Sequence, residues 1–217
     1  MPLSRPPSGW RPRIERAVAG LGSALDERAS VALEQLLDLV VEWNARVDLT
    51  AARDADELVD LYLADAVTLS AAGVAPGERW VDVGSGGGAP GLVLAVLEPE
   101  LHLTLVEPRA KRVAFLRSAV GLLGLGQVEV QRVRSDALSD GSWQVAVSRA
   151  TLAPADWLVE GARLATRGVW VLLARAEPPG LDEWHVERNI CYRWPLTGAQ
   201  RRAVRYAPQG NIPASAS

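Results

Sequence analysis

The chain has 217 residues, about half of them hydrophobic and about a quarter charged, with a formal net charge of −3. That length supplies one domain with a real core and excludes two comfortable ones. The charge excludes nucleic-acid binding by bulk attraction alone. No apolar run reaches a membrane span, and the single cysteine, Cys191, excludes an internal disulfide or a cysteine metal cluster.

The first residues, MPLSRPPSGWRPR, lack the apolar centre of a signal peptide and read as a disordered tail over 1–13. A cytoplasmic, monomeric protein without a metal is the expectation. Residues 14–208 read as a single domain, with a helical head over 14–75 and a core over 76–208; 209–217 read as a second disordered tail. In the head, Val31, Leu33, Leu36, Leu37, Val40 and Val41 form one wide helical stripe. A break is expected near Gly22–Ser23. Asp54, with Glu57 three residues on, marks another helix start at capping-box spacing.

The rhythm then changes to strands alternating with helices. RWVDV, LHLTLV, VEVQRVRSDAL with its closing loop, WQVAVS and GVWVLL read as successive strands, with helical segments between them. This pattern predicts a mostly parallel sheet covered on both faces. WHVERNICYRW and RRAVRYAP, joined through PLTGAQ, predict an antiparallel hairpin at the sheet edge. Cys191 is expected as a packed strand residue. Past Glu187 there is no acidic residue, while Arg188, Arg193, Arg201, Arg202 and Arg205 follow. Such an arginine face can hold phosphates. Arginine use throughout the chain, with Lys111 the only lysine, is the plainer account of the count, though not of the missing acids.

The first strand runs into VDVGSGGGAPG at 81–91, four glycines in five positions and a fifth after a proline. A glycine loop there sits at the carboxyl edge of the sheet, where open α/β folds bind ligands. Ala89 stands where the dinucleotide fingerprint wants glycine, and no Lys-Ser/Thr follows as in a phosphate-binding P-loop. Glu107 ends the second strand, placed to accept from a ribose diol. Asp136, beside Ser135, closes the third, placed to bond an adenine amine. Together they describe an adenosine pocket; the alternative is that both acids are solvated helix caps. The GGGAPG turn suits a ligand without phosphate, such as S-adenosylmethionine. A dinucleotide-dependent oxidoreductase is the competing class.

The ordered motifs WNARVDLTAARD at 43–54, Asp65, VDVGSGGGAPGLVLA at 81–95, LVEPRAKRVAFLR at 105–117, VQRVRSDAL at 130–138 and VSRA at 147–150 resemble the RsmG/GidB family. These are bacterial 16S ribosomal RNA guanine-N7 methyltransferases. The resemblance implies a Rossmann-like α/β fold with a seven-stranded, mostly parallel sheet. It implies S-adenosylmethionine as cofactor and, as substrate, a guanine in the decoding-region loop of 16S ribosomal RNA or the small subunit. By position, Gly84, Gly86, Ala89, Gly91, Glu107, Ser135, Asp136 and Arg149 are expected at the cofactor. Asp65 and Arg149 are expected at the reaction, and Arg109, Lys111, Arg112, Arg201, Arg202 and Arg205 on RNA. Two stretches depart from the family pattern. Leu61 and Tyr62 in LYLADA replace a basic residue and a histidine, and Ala174 or Arg175 in LARA replaces a lysine. A cofactor-binding relative with another RNA target, or without catalysis, is the alternative these departures leave open.

Overall fold

In the computed structural model, which describes residues 3–211, three helices come first: α1 (Arg11–Gly20), α2 (Glu27–Asn44) and α3 (Ala55–Ala71). Asp26 caps α2, accepting from Ala29 N at 2.6 Å. Asp54 caps α3, accepting from Glu57 N at 2.8 Å, while Glu57 accepts from Arg53 N at 2.8 Å. The reciprocal bond of the capping box thus falls one residue before the cap. Helix α3 is buried on nearly every side, from Leu58 to Leu69. A helix without a polar face belongs inside a fold, and α3 packs on α1 and on the core that follows.

The expected disordered tail over 1–13 is corrected by the structure, which shows residues 3–10 folded against α2. Trp10 is fully buried, and its indole N–H donates to Asp38 Oδ1 at 2.7 Å. Arg5 pairs with the other oxygen of that carboxylate at 3.0 Å. One tryptophan supplies the apolar area that the Pro/Arg composition conceals. At the other end, Gln209–Asn211 form a short 3-10 turn, and the expected tail beyond it lies outside the described residues.

The core is a seven-stranded sheet: β1 (Arg79–Val83), β2 (His102–Val106), β3 (Val128–Gln131), β4 (Trp143–Ser148), β5 (Ala165–Leu173), β6 (Trp184–Arg193) and β7 (Gln200–Pro208). The order across it is β3-β2-β1-β4-β5-β7-β6. The first five strands are parallel, and β7 runs antiparallel to both neighbours. Helices α4 (Gly91–Leu97), α5 (Ala110–Leu123) and α6 (Pro154–Leu164) make the crossovers. This is the α/β architecture the strand–helix alternation predicts.

Alternation along the strands divides the core in two. Trp80, Leu103, Leu105, Val145, Val147 and Trp170 face α1 to α5. Val81, Val83, Val106, Ala146, Val169 and Val171 face α6. Five helices therefore cover one face and a single helix the other. The third strand ends at Gln131, ahead of RSDAL, where Ser135–Ala137 form a 3-10 turn. Cys191 lies on β6 as expected but is exposed, because β6 is the outermost strand. Among the described residues no helix is long and apolar enough to cross a membrane.

The hairpin is tied to the head by Asp60 of α3. Its carboxylate accepts from Leu196 N at 3.1 Å, Thr197 N at 2.8 Å and Thr197 Oγ1 at 2.8 Å. Burial pushes this carboxyl up from its ordinary pKa, against the pull of those bonds.

Candidate active site

At the carboxyl ends of β1, β2 and β4 the chain encloses a cavity of about 460 Å3. Its floor is the glycine loop. Gly84, Gly86 and Gly88 hold φ of +72°, +53° and +87°, in the left-handed region where side chains other than glycine are disfavoured. Gly87 is required for a different reason. A Cβ there would stand 2.9 Å from Leu49 O and 2.7 Å from Tyr62 Oη. The Tyr62 hydroxyl donates to the Gly87 carbonyl at 2.7 Å, so α3 holds the loop from above.

Two acids hold it from below and from the side. Asp82 is buried and accepts from Gly91 N at 3.1 Å. Burial pushes its carboxyl up to about 7, with Arg149 pulling in the opposite direction. Glu107 is buried at the end of β2. Its two oxygens accept from Gly86 N at 3.1 Å and Arg109 N at 2.8 Å. A carboxylate has about four acceptor positions, so Glu107 keeps acceptors free for a diol while its orientation is set by backbone.

Arg149, at the end of β4, lies on the opposite wall. Its Nη1 donates to the Leu61 carbonyl and sits 3.4 Å from Asp65 Oδ2. Asp65 is buried and also accepts from the Tyr192 hydroxyl at 2.5 Å. Burial and the neighbouring carboxylate hold the Tyr192 pKa far above its ordinary value, so the phenol stays a donor. Ala150 follows Arg149 with φ +55°, a conformation costly for alanine and found preferentially at functional loops.

Of the expected cofactor residues, Gly84, Gly86, Ala89, Glu107 and Arg149 line the cavity. Gly91 does not; it lies beneath, where a Cβ would stand 2.5 Å from Asp82 Oδ2. Ser135 and Asp136 sit in the turn after β3 and do not line this cavity. The third strand stops short of them, the Ser135 carbonyl accepts from Arg163, and Asp136 is exposed and paired with Arg134 at 3.3 Å. The wall is completed instead by residues 49–51 and Tyr62.

The expected RNA residues also separate. Arg109 and Arg112 line the cavity mouth, and Arg112 donates to the Asp48 carbonyl at 2.7 Å. Lys111 is exposed beside them. Arg201 and Arg202 line a broad groove of about 1430 Å3 along the hairpin, which Arg175, Arg188 and Arg193 share. Arg205 is absent from that groove. It is mostly buried, paired with Glu187 and packed over Gly168, so it is part of the sheet edge and not a free cation. Tyr62, Tyr192 and Trp194 are site residues that no spacing in the sequence marks.

This strand order, with a glycine loop after β1 and a buried acid after β2, defines the class of Rossmann-like methyltransferases. Solved structures agree on the fold. An S-adenosylmethionine-dependent methyltransferase from Aquifex aeolicus superposes with a TM-score of 0.50 at 18% identity, over 68% of this chain and 90% of that one. A mutant of MtNAS in complex with S-adenosylmethionine superposes with a TM-score of 0.59 at 15% identity, over 82% and 75%.

The chain belongs to the GidB family, rRNA small subunit methyltransferase G, whose model matches residues 30–191. The ribosomal RNA small subunit methyltransferase G of Halorhodospira halophila is 37% identical over 203 residues, 91% of this chain and 96% of the relative. That of Neisseria gonorrhoeae is 35% identical, over 82% and 86%. S-adenosylmethionine is the cofactor of this family, and the dinucleotide alternative is set aside. The cavity fits the cofactor: its volume lies within the range of about 300–1,000 Å3 usual for small-molecule sites, and Glu107 presents free acceptors to it.

Proposed function

We propose that the chain methylates N7 of a guanine in the decoding-region loop of 16S ribosomal RNA, acting as a cytoplasmic monomer on the RNA or the small subunit. The observation that supports this most is a shared lining. Arg149 lines both the glycine-loop cavity and a second hollow, so the place for a cofactor and the place for a substrate group adjoin.

The cofactor, when bound, supplies an activated methyl group on a sulfonium. The chain's part is to hold and orient. Glu107 accepts from the ribose hydroxyls, and the backbone of Gly84, Gly86 and Ala89 lies against the rest. Guanine N7 carries an available lone pair, so no proton is removed and no general base is required. Rate then comes from alignment and exclusion of water. The buried negative charge of Asp65 offsets the positive charge the base acquires, and Arg149 keeps that carboxylate in place. Arg201 and Arg202, with Arg109, Lys111 and Arg112 at the mouth, take phosphates.

The test is transfer of labelled methyl from S-adenosylmethionine to small-subunit RNA and subunits that lack the N7 mark. Label mapped to a decoding-region guanine supports the reading. S-adenosylhomocysteine binding without label on either substrate overturns it and favours a non-catalytic relative.

A further inference from the structure

The second hollow, of about 300 Å3, opens at the carboxyl ends of β4 and β5. Leu61, Arg149, Ala150 and Thr151 line both this hollow and the cofactor cavity, which therefore adjoin. Its size suits one planar ring system. Much of the lining is apolar, including Pro154, Trp157 and Leu172.

Its polar groups are few and incompletely paired. Asp65 is 2% exposed and has two protein donors, Tyr192 and Arg149. Two of its roughly four acceptor positions remain unfilled. Trp194 is 7% exposed, lines the hollow, and its indole N–H is buried without a partner. The Arg201 guanidinium lies 4.0 Å above the Trp194 ring and lines the same hollow. The Trp194 N–H is closed off from the open space of the hollow, so the ligand is described by Asp65 and Arg201. Buried polar atoms are nearly always bonded in native proteins, and a carboxylate short of donors beside a guanidinium asks for a complementary edge. The ligand is flat, presents adjacent N–H donors on one edge and carries an acceptor nearby.

Resting on the methyl-transfer reading above, we infer that this hollow receives the target guanine turned out of its stack, with Asp65 accepting from its N1–H and 2-amino group. O6 meets the Arg201 guanidinium. N7 is left facing the adjoining cofactor cavity. Adenine does not fit this polarity, because its N1 is an acceptor and would oppose the carboxylate. Extrusion of a base into a pocket is the general solution for chemistry on a nucleobase. The same contact also acts on the rate. As N7 gains a bond the ring becomes cationic and N1–H more acidic, so its bond to Asp65 strengthens toward the transition state.

The test uses small-subunit RNA carrying guanosine or inosine, introduced by ligation at the position methylated by the wild-type protein. Inosine keeps N7, O6 and N1–H and lacks only the 2-amino group. With wild-type protein, kcat/KM is expected to fall about 10- to 100-fold for inosine, the size of a hydrogen bond to a charged group. Asp65→Asn should shrink that ratio, whereas Tyr192→Phe, which keeps the carboxylate, should preserve it. S-adenosylhomocysteine affinity checks that each variant is folded. A purely structural Asp65 would slow both substrates alike and leave the ratio unchanged, overturning the inference. Equal wild-type rates on guanosine and inosine overturn it as well, with methyl transfer still standing. No transfer to guanosine overturns both readings.

Discussion

The Tyr62 hydroxyl and the Gly87 carbonyl share a 2.7 Å hydrogen bond that joins the helical head to the cofactor loop. Burial holds the Tyr62 pKa well above its ordinary value, so the donor persists at any working pH. Tyr62→Phe leaves a buried carbonyl without that donor. It should cost about 1–2 kcal/mol in urea unfolding and weaken S-adenosylhomocysteine several-fold by calorimetry. Unchanged affinity would mean the loop keeps its shape without the tie.

Neighbouring glycines should respond differently to the same change. At Gly87 an added Cβ meets backbone at 2.9 Å, whereas at Gly86 the nearest atom is 3.6 Å away. Gly87→Ala should therefore displace the loop and abolish cofactor binding. Gly86→Ala should incur chiefly the left-handed backbone strain, about 1 kcal/mol of stability. Equal losses from the two substitutions would refute the steric assignment.

Asp82 makes stability depend on pH in a predictable direction. The folded carboxyl keeps its proton up to about pH 7, while an unfolded aspartate loses it near ~3.9. Between these values folding takes up a proton, so this group's contribution is present at low pH and lost as pH rises toward 7. Asp82→Asn cannot titrate. Its stability relative to wild type should climb from pH 4 to pH 7 and level off above; a constant difference across that window would count against the assignment.

Asp60 supports the hairpin through bonds to Leu196 and Thr197. Asp60→Ala strands two backbone N–H groups. It should destabilise the protein by about 2–3 kcal/mol and raise hydrogen exchange in the turn over 195–199. Exchange unchanged there would show that the turn holds itself.

Arg201, besides its contact with the base, and Arg202, whose pairing with Glu177 is on the exposed surface, should add charge-driven RNA binding. Replacing both by alanine should reduce the slope of log K against log salt by about 0.7–0.9 for each phosphate no longer neutralised. S-adenosylhomocysteine affinity should not change. Arg205→Ala should instead lower stability, since Arg205 is already paired with Glu187.

The parts of the site visible in the sequence are those that constrain the backbone locally. Positive φ at Gly84 and Gly86 requires glycine, and Glu107 directly follows the apolar run of the second strand. Tyr62 stands out there only as a departure from the family pattern, and Tyr192 and Trp194 are not legible at all, because they arrive from other elements. Tyr192 reaches Asp65 across 127 positions of chain, a meeting fixed by hairpin register and the packing of α3. Asp136 shows the converse: its motif is local, yet the strand before it ends at Gln131 and the residue sits exposed in the turn that follows. Trp10 shows the same limit, since the composition around it is that of a solvated tail while its indole closes the core.

Within two turns, α3 carries Asp60 to the hairpin, Tyr62 to the glycine loop and Asp65 to Arg149 and Tyr192. One buried helix thus braces the cofactor's floor, the base hollow and the arginine-bearing edge at once. Any shift of α3 on binding at one place would be felt at the others. Whatever factor the cofactor applies to the affinity for RNA, RNA applies to the affinity for the cofactor. The order in which the two arrive then alters the route and not the final balance.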